Sequence, residues 1–132
     1  MKFLIVAALC LTVSAVFATT VGEVKAEVKE ATKKCMEKPE ISVDKEALKK
    51  FIQSKGKEAA PENLDQLALC VTKSINWQNE DGSINRQHMI DRIRSSVEDK
   101  AAGEEIINSC LVEQNKPEET ARFLFKCFYE HH

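Results

Sequence analysis

Apolar residues recur along this chain at the three-and-four spacing of an amphipathic helix, and caps and breakers cut the recurrence into about six stretches. Val21, Val24, Val28 and Ala31 form one stripe, which predicts a first helix ending at Cys35, ahead of Pro39. Ser42 is placed to cap a second, with Leu48, Phe51 and Ile52 inward and Gly56 supplying a left-handed stop. Pro61 at the first position opens a third, where Leu64, Leu67, Ala68, Val71 and Ile75 make the cleanest apolar face in the sequence. Gln78 to Ser83, with the Asp81-Gly82 turn signal, interrupts the pattern. A fourth stretch then carries Met89, Ile90, Ile93 and Val97, and a fifth holds Ile106, Ile107, Cys110 and Leu111 and stops before Pro117. The sixth runs from there to the end with Phe123, Leu124, Cys127 and Phe128. Without a repeat, low-complexity tract or linker, the expectation is one all-α domain.

Composition agrees with that reading. In 132 residues there are only 4 Gly and 3 Pro, while 43% of positions are apolar, enough to close a core. Charged residues make up 30% with both signs interspersed, and the formal net charge is -2. No concentrated basic face exists to neutralise phosphates, so nucleic acid is not an expected partner.

The first residues change the address of the rest. After Lys2 comes an apolar run from Phe3 to Phe17, shorter than the roughly 20 residues a spanning helix needs. Val16 and Ala18 put small residues at the -3 and -1 positions of a cleavage after Ala18. Residues 1–18 are therefore expected to be a secretory signal peptide and 19–132 the mature domain, secreted and without an integral membrane segment. Loss of Lys2 takes the net charge to -3, and Cys10 leaves with the peptide. Four cysteines remain, Cys35, Cys70, Cys110 and Cys127, and an even count in an oxidising compartment implies two disulfides. Their intervals of 35, 40 and 17 do not suit structural zinc, which wants ligands paired a few residues apart. Four cysteines allow three connectivities, and spacing alone leaves all three open.

Sharper chemistry is missing. A calcium loop over Trp77 to His88 would have Gly82 in place but Trp77 and His88 where carboxylates are required. His88 and Asp91 stand three apart, yet no nucleophile or second base joins them, so a solvated helix face is the simpler account. Glu130, His131 and His132 offer a surface metal weak ligands at most, because terminal histidines fray and usually hold nothing in particular. No glycosylation sequon occurs. The expectation is a non-enzymatic protein with no catalytic residue, metal or cofactor.

Taken together, the cysteine order and the helix rhythm resemble the insect odorant-binding proteins of the pheromone/general odorant-binding family, small secreted six-helix carriers with six cysteines in fixed order. There the second cysteine stands four positions before the third, and the fifth nine before the sixth. Matching Cys70 to the third and Cys127 to the sixth puts Gln66 and Glu118 at the two vacant places, the departure shown by the minus-C subclass. The resemblance covers the whole mature chain. It implies pairing of Cys35 with Cys70 and of Cys110 with Cys127, and a compact six-helix fold around an apolar cavity.

It also implies that the apolar stripes serve a small hydrophobic ligand. The candidate ligand-binding residues are Leu64, Leu67, Ala68, Val71, Ile75, Met89, Ile93, Ile107, Leu111, Leu124 and Phe128. Each taken singly reads as plain core; the resemblance moves them toward a pocket only as a group. Asn108, Thr72 or Tyr129 could add a polar handle. The implied partners are an odorant, pheromone or other apolar molecule and a chemosensory receptor, with the chain a monomer or weak homodimer. Two other readings stand beside the carrier: a haemolymph, salivary or reproductive-fluid protein of the same fold acting through protein contacts, and a small lipolytic enzyme, whose His-Asp-metal constellation this chain lacks.

Overall fold

Val24, Val28, Ala31 and Cys35 are all buried along one face of α1 (Val21–Met36), so the first apolar stripe is the one that meets the core. The structure, a computed structural model, describes residues 21–131. The expected signal peptide, Cys10 and His132 lie outside the described residues.

The second helix, α2 (Lys45–Gln53), starts later than Ser42 suggests. Asp44 is its cap, its carboxylate accepting from the Glu46 and Ala47 backbone N–H groups at 2.9 and 3.2 Å. The physical reason is Val43, which packs against the core directly before the cap. It stands, with buried Leu48 four residues into the helix, where a hydrophobic staple fixes the chain's entry. Ser42 instead offers its carbonyl to Asn63 Nδ2 at 2.8 Å. The expected stop is in place: Gly56 has φ +81° and its N–H reaches back to the Phe51 carbonyl at 2.9 Å.

Pro61 does not open α3 (Leu64–Ser74) either. Asn63 intervenes at φ +64°, a left-handed conformation through which a right-handed helix cannot continue and which Asn tolerates better than most residues. Pro61 to Asn63 form a turn, and the helix begins at Leu64.

Between α3 and α4 (Arg86–Ser96) the chain folds back on itself around a buried amide. The Gln78 Oε1 accepts from Thr72 Oγ1 at 2.5 Å, while its Nε2 donates to the carbonyls of Gly82 at 2.8 Å and Pro117 at 3.1 Å. One side chain thus ties α3, the 77–85 loop and the start of the last helix. A single antiparallel bridge pairs Gln78 with Ile84. Asp81 closes the turn by accepting from the Ser83 hydroxyl and N–H, and these bonds hold its carboxyl below the usual range.

Asp99 caps α5 (Lys100–Cys110), and Pro117, whose ring costs nothing at a first helical position, opens α6 (Pro117–His131). The most extensive helix contact is between α3 and α6, followed by α1 with α3, α4 with α5, and α5 with α6. Leu64, Leu67, Ala68 and Val71 meet Ala121, Leu124 and Phe125 in one core cluster. Around it, Glu27 on α1 pairs with Arg92 on α4, Arg94 on α4 with Glu104 on α5 at 2.8 Å, and Asp65 on α3 with Arg122 on α6 at 3.4 Å. Cys35 is bonded to Cys70 and Cys110 to Cys127, with Cα–Cα distances of 6.0 and 5.9 Å. The first bridge locks α1 to α3 and the second α5 to α6. Closing chain separations of 35 and 17 residues, each stabilises by roughly 3 to 4 kcal/mol if restriction of the unfolded chain dominates. The protein is a single compact all-helical domain. No helix among the described residues is long and apolar enough to cross a membrane.

Candidate functional site

The second disulfide forms part of the wall of an apolar cavity. Cys110 on α5 and Cys127 on α6 line it with Leu124 and Phe128 from α6, Met89 and Ile93 from α4, and Ile106 from α5. Val24 closes it from α1, and Trp77, from the loop that Gln78 anchors, stacks its ring 5.5 Å from that of Phe128. The cavity measures about 50 Å³, room for a few water-sized molecules but well below the roughly 300 Å³ at which ligand pockets usually begin. A ligand longer than a few carbons can enter only by moving its walls.

The walls differ in how firmly they are held. On α6, Leu124 is 2% exposed and Phe125 fully buried, and both are backed by α3. On α4 only Met89 is buried, while Ile90 and Ile93 are half-buried against the core. The movable wall is α4.

Polar atoms in the lining are few. Arg92, Ser96 and His131 reach the cavity, and Arg92 is held by Glu27. Among the described residues the Arg92 Nε has no hydrogen-bond partner although it is buried, and His88 Nε2 is in the same position nearby on α4. Buried polar atoms of this kind cost free energy until a partner meets them.

The structure divides the candidate residues that periodicity picked out among three different situations. Met89, Ile93, Leu124 and Phe128 line the cavity. Leu67, Ala68 and Val71 have no exposed surface and sit in the core between α3 and α6; Ile75, Ile107 and Leu111 also belong to the core cluster rather than the cavity wall. Leu64 lines a separate groove with Phe51 and Phe123. Of the expected polar handles, Asn108 is exposed and away from the cavity, and Thr72 is committed to Gln78 and the Leu69 carbonyl. Tyr129 faces a different groove, between α1 and α6.

Val24 and Ile106 stand on the apolar stripes but are not among the candidates, whereas Arg92, Ser96 and Trp77 escape a reading based on stripes, for two reasons. Arg92 lies three residues after Met89, on the same helix face, so its position was visible but its charge argued against the interior. Trp77 sits in a loop, where periodicity has nothing to say.

Among the described residues, the two groupings with candidate chemistry are otherwise engaged. Asp91 accepts from Gln87 Nε2 at 2.9 Å and not from His88. Cys110, Cys127 and His131 bring three potential metal ligands within 4.8 Å of one another, but both sulfurs are in the disulfide and offer no thiolate.

The sequence model of the PBP/GOBP family matches residues 17–131, nearly the whole chain. No curated protein and no solved structure matches it. With six helices, two bridges in the expected pairing and a match over almost its full length, the chain belongs to the PBP/GOBP family of odorant- and pheromone-binding carriers, which are binding proteins rather than enzymes.

Proposed function

We propose that this protein is a secreted carrier that takes a small apolar molecule into the cavity between α1, α4, α5 and α6. The observation that carries the reading is the cavity itself: side chains of four helices meet there without filling the space, beside a disulfide that keeps the fold closed around the gap. Residues 1–18 direct export, and 19–132 form the working domain. Gln66, exposed on α3, and Glu118, half-buried in the first turn of α6, stand where the family's remaining bridge would be, which supports reading the chain as a minus-C member.

The magnitudes favour moderate affinity. Burying about 12 methylenes at about 0.8 kcal/mol each is worth roughly 10 kcal/mol. Association costs at least about 4 kcal/mol, leaving about 6 kcal/mol, a dissociation constant of some tens of micromolar that the displacement of α4 weakens further. An apolar fluorescent probe displaced by long-chain alcohols or esters at micromolar concentration is the expected result, with no turnover of the esters.

One observation favours a second reading. The unfilled volume is small and the α3–α6 seam is solid, as in a protein of this fold that works by contact with another macromolecule. Failure of every apolar competitor to displace the probe would decide for that reading.

A further inference from the structure

A second groove shares Phe128 with the cavity. Its volume is about 400 Å³, and it runs between α1, the end of α2 and the last turn of α6. Ile52, Phe128 and Tyr129 give it an apolar floor. Lys25, Lys29 and Lys55 stand around it with Thr32 and Gln53, and no acidic residue takes part in the lining.

The whole chain is net negative, so a groove lined by lysines without a carboxylate runs against the overall charge. Some helix cations are paired, Lys34 with Glu30 one turn away and Lys126 with Glu130. Among the described residues none of Lys25, Lys29 and Lys55 is in an ion pair, and Lys25 and Lys29 are like charges one helical turn apart, which is unfavourable on its own. Among the described residues the Tyr129 hydroxyl has no hydrogen-bond partner, and burial keeps the phenol protonated, and so a donor, at physiological pH. The rim therefore offers donors and positive charge above an apolar floor.

The floor leads inward. Tyr129 stacks edge-on against Phe128 at 5.0 Å between ring centres, and Phe128 against Trp77 at 5.5 Å. Phe128 and Trp77 also line the inner cavity, so the Phe128 ring is a wall shared by the groove and the cavity.

We propose that this groove is a headgroup site for single-chain anionic amphiphiles, in which Lys25, Lys29 and Lys55 hold the anion while the chain passes Phe128 toward the inner cavity. The inference rests on the carrier reading and narrows it to a ligand class. The shared chemistry is an anionic head on a hydrocarbon chain, whether carboxylate or sulfate. A phosphate or other small anion without a chain lacks the floor contacts, and an extended membrane surface cannot enter the groove.

The test is competitive displacement by tetradecanoate, tetradecyl sulfate, tetradecanol and tetradecyltrimethylammonium, each below its micelle concentration. Both anions should bind about tenfold tighter than the alcohol, the summed worth of a few exposed charge contacts, and added salt should shrink the difference. The cation should bind worst. The triple substitution Lys25→Gln, Lys29→Gln, Lys55→Gln lies on exposed positions and should abolish the anion preference; Tyr129→Phe should reduce it by a few-fold. Equal affinity of alcohol and anions in the unaltered protein, or a preference that survives the triple substitution, would overturn the proposal. So would retention on anionic vesicles without binding of the free amphiphiles. If alcohol and anions all fail to displace the probe, the carrier reading itself falls along with this one.

Discussion

Single residues set both the sharpest constraint and the clearest titration in this fold. Gly82 has φ +91°, and a Cβ built there would stand 2.5 Å from the Pro117 Cβ. Its carbonyl also accepts from Gln78, so backbone conformation, steric space and the buried amide all meet at one position. Gly82→Ala should destabilise by about 2 to 4 kcal/mol, the left-handed strain adding to an overpacking cost, and thermal unfolding should show it. A loss under about 0.5 kcal/mol would mean that the turn and α6 can separate freely. Tyr129 supplies the titration. Burial pushes its phenol from 10.0 up to about 12, because the phenolate would lose water. Folded Tyr129 therefore holds its proton where the unfolded chain has released it. The stabilisation is complete below pH 10 and is lost as pH rises from there to about 12, at up to about 1.4 kcal/mol per pH unit. Tyr129 is the one tyrosine in the chain, so phenolate absorbance reports it directly. A native midpoint near 10 would show the ring to be solvated, and Tyr129→Phe should flatten the alkaline fall in stability.

At the scale of the element, periodicity and caps divided the chain into the right helices, and the differences lie at their starts. Ser42 and Pro61 are good opening signals, but Val43 and Asn63 prevailed, one by reaching the core and the other by turning left-handed. Neither packing nor a single positive φ can be read from residue type. The disulfides tie particular helices and so have separable roles. Cys35–Cys70 closes the longer loop and joins α1 to α3, away from the cavity. Cys110–Cys127 closes the shorter loop and forms part of the cavity wall. Replacing Cys35 and Cys70 by Ser should cost about 3 to 4 kcal/mol of stability and leave ligand affinity nearly intact. The same change at Cys110 and Cys127 should cost slightly less stability but lower affinity several-fold, since α5 and α6 are then free to part. Paired denaturation and displacement curves measure both effects. Equal losses of affinity in the two variants would detach the second bridge from the site.

For the molecule as a whole, the division between core and cavity is what the stripes could not show. Leu67 and Val71 look like Met89 and Ile93 in the sequence, because each helix turns an apolar face inward. Only the arrangement of all six decides that α3 packs solidly against α6 while α4 stands off and leaves a gap. With α4 the looser wall, the unliganded cavity should be a compromise: two bridges keep the domain folded while one helix remains free to yield. Met89, the buried residue of α4, is where that compromise can be shifted. Met89→Ala should lower stability by about 2 to 4 kcal/mol, through lost contacts and the space left behind. The bridges should keep the variant folded, and its larger cavity should bind branched or ring-bearing ligands more tightly than the unaltered protein does. Linear ligands, which need less width, should gain little. Chemical denaturation and a displacement series of matched linear and branched alcohols separate these effects. If the variant loses stability and binds both series more weakly, the side chain is a ligand contact whose removal outweighs the added room, and the limit on ligand size lies elsewhere in the wall.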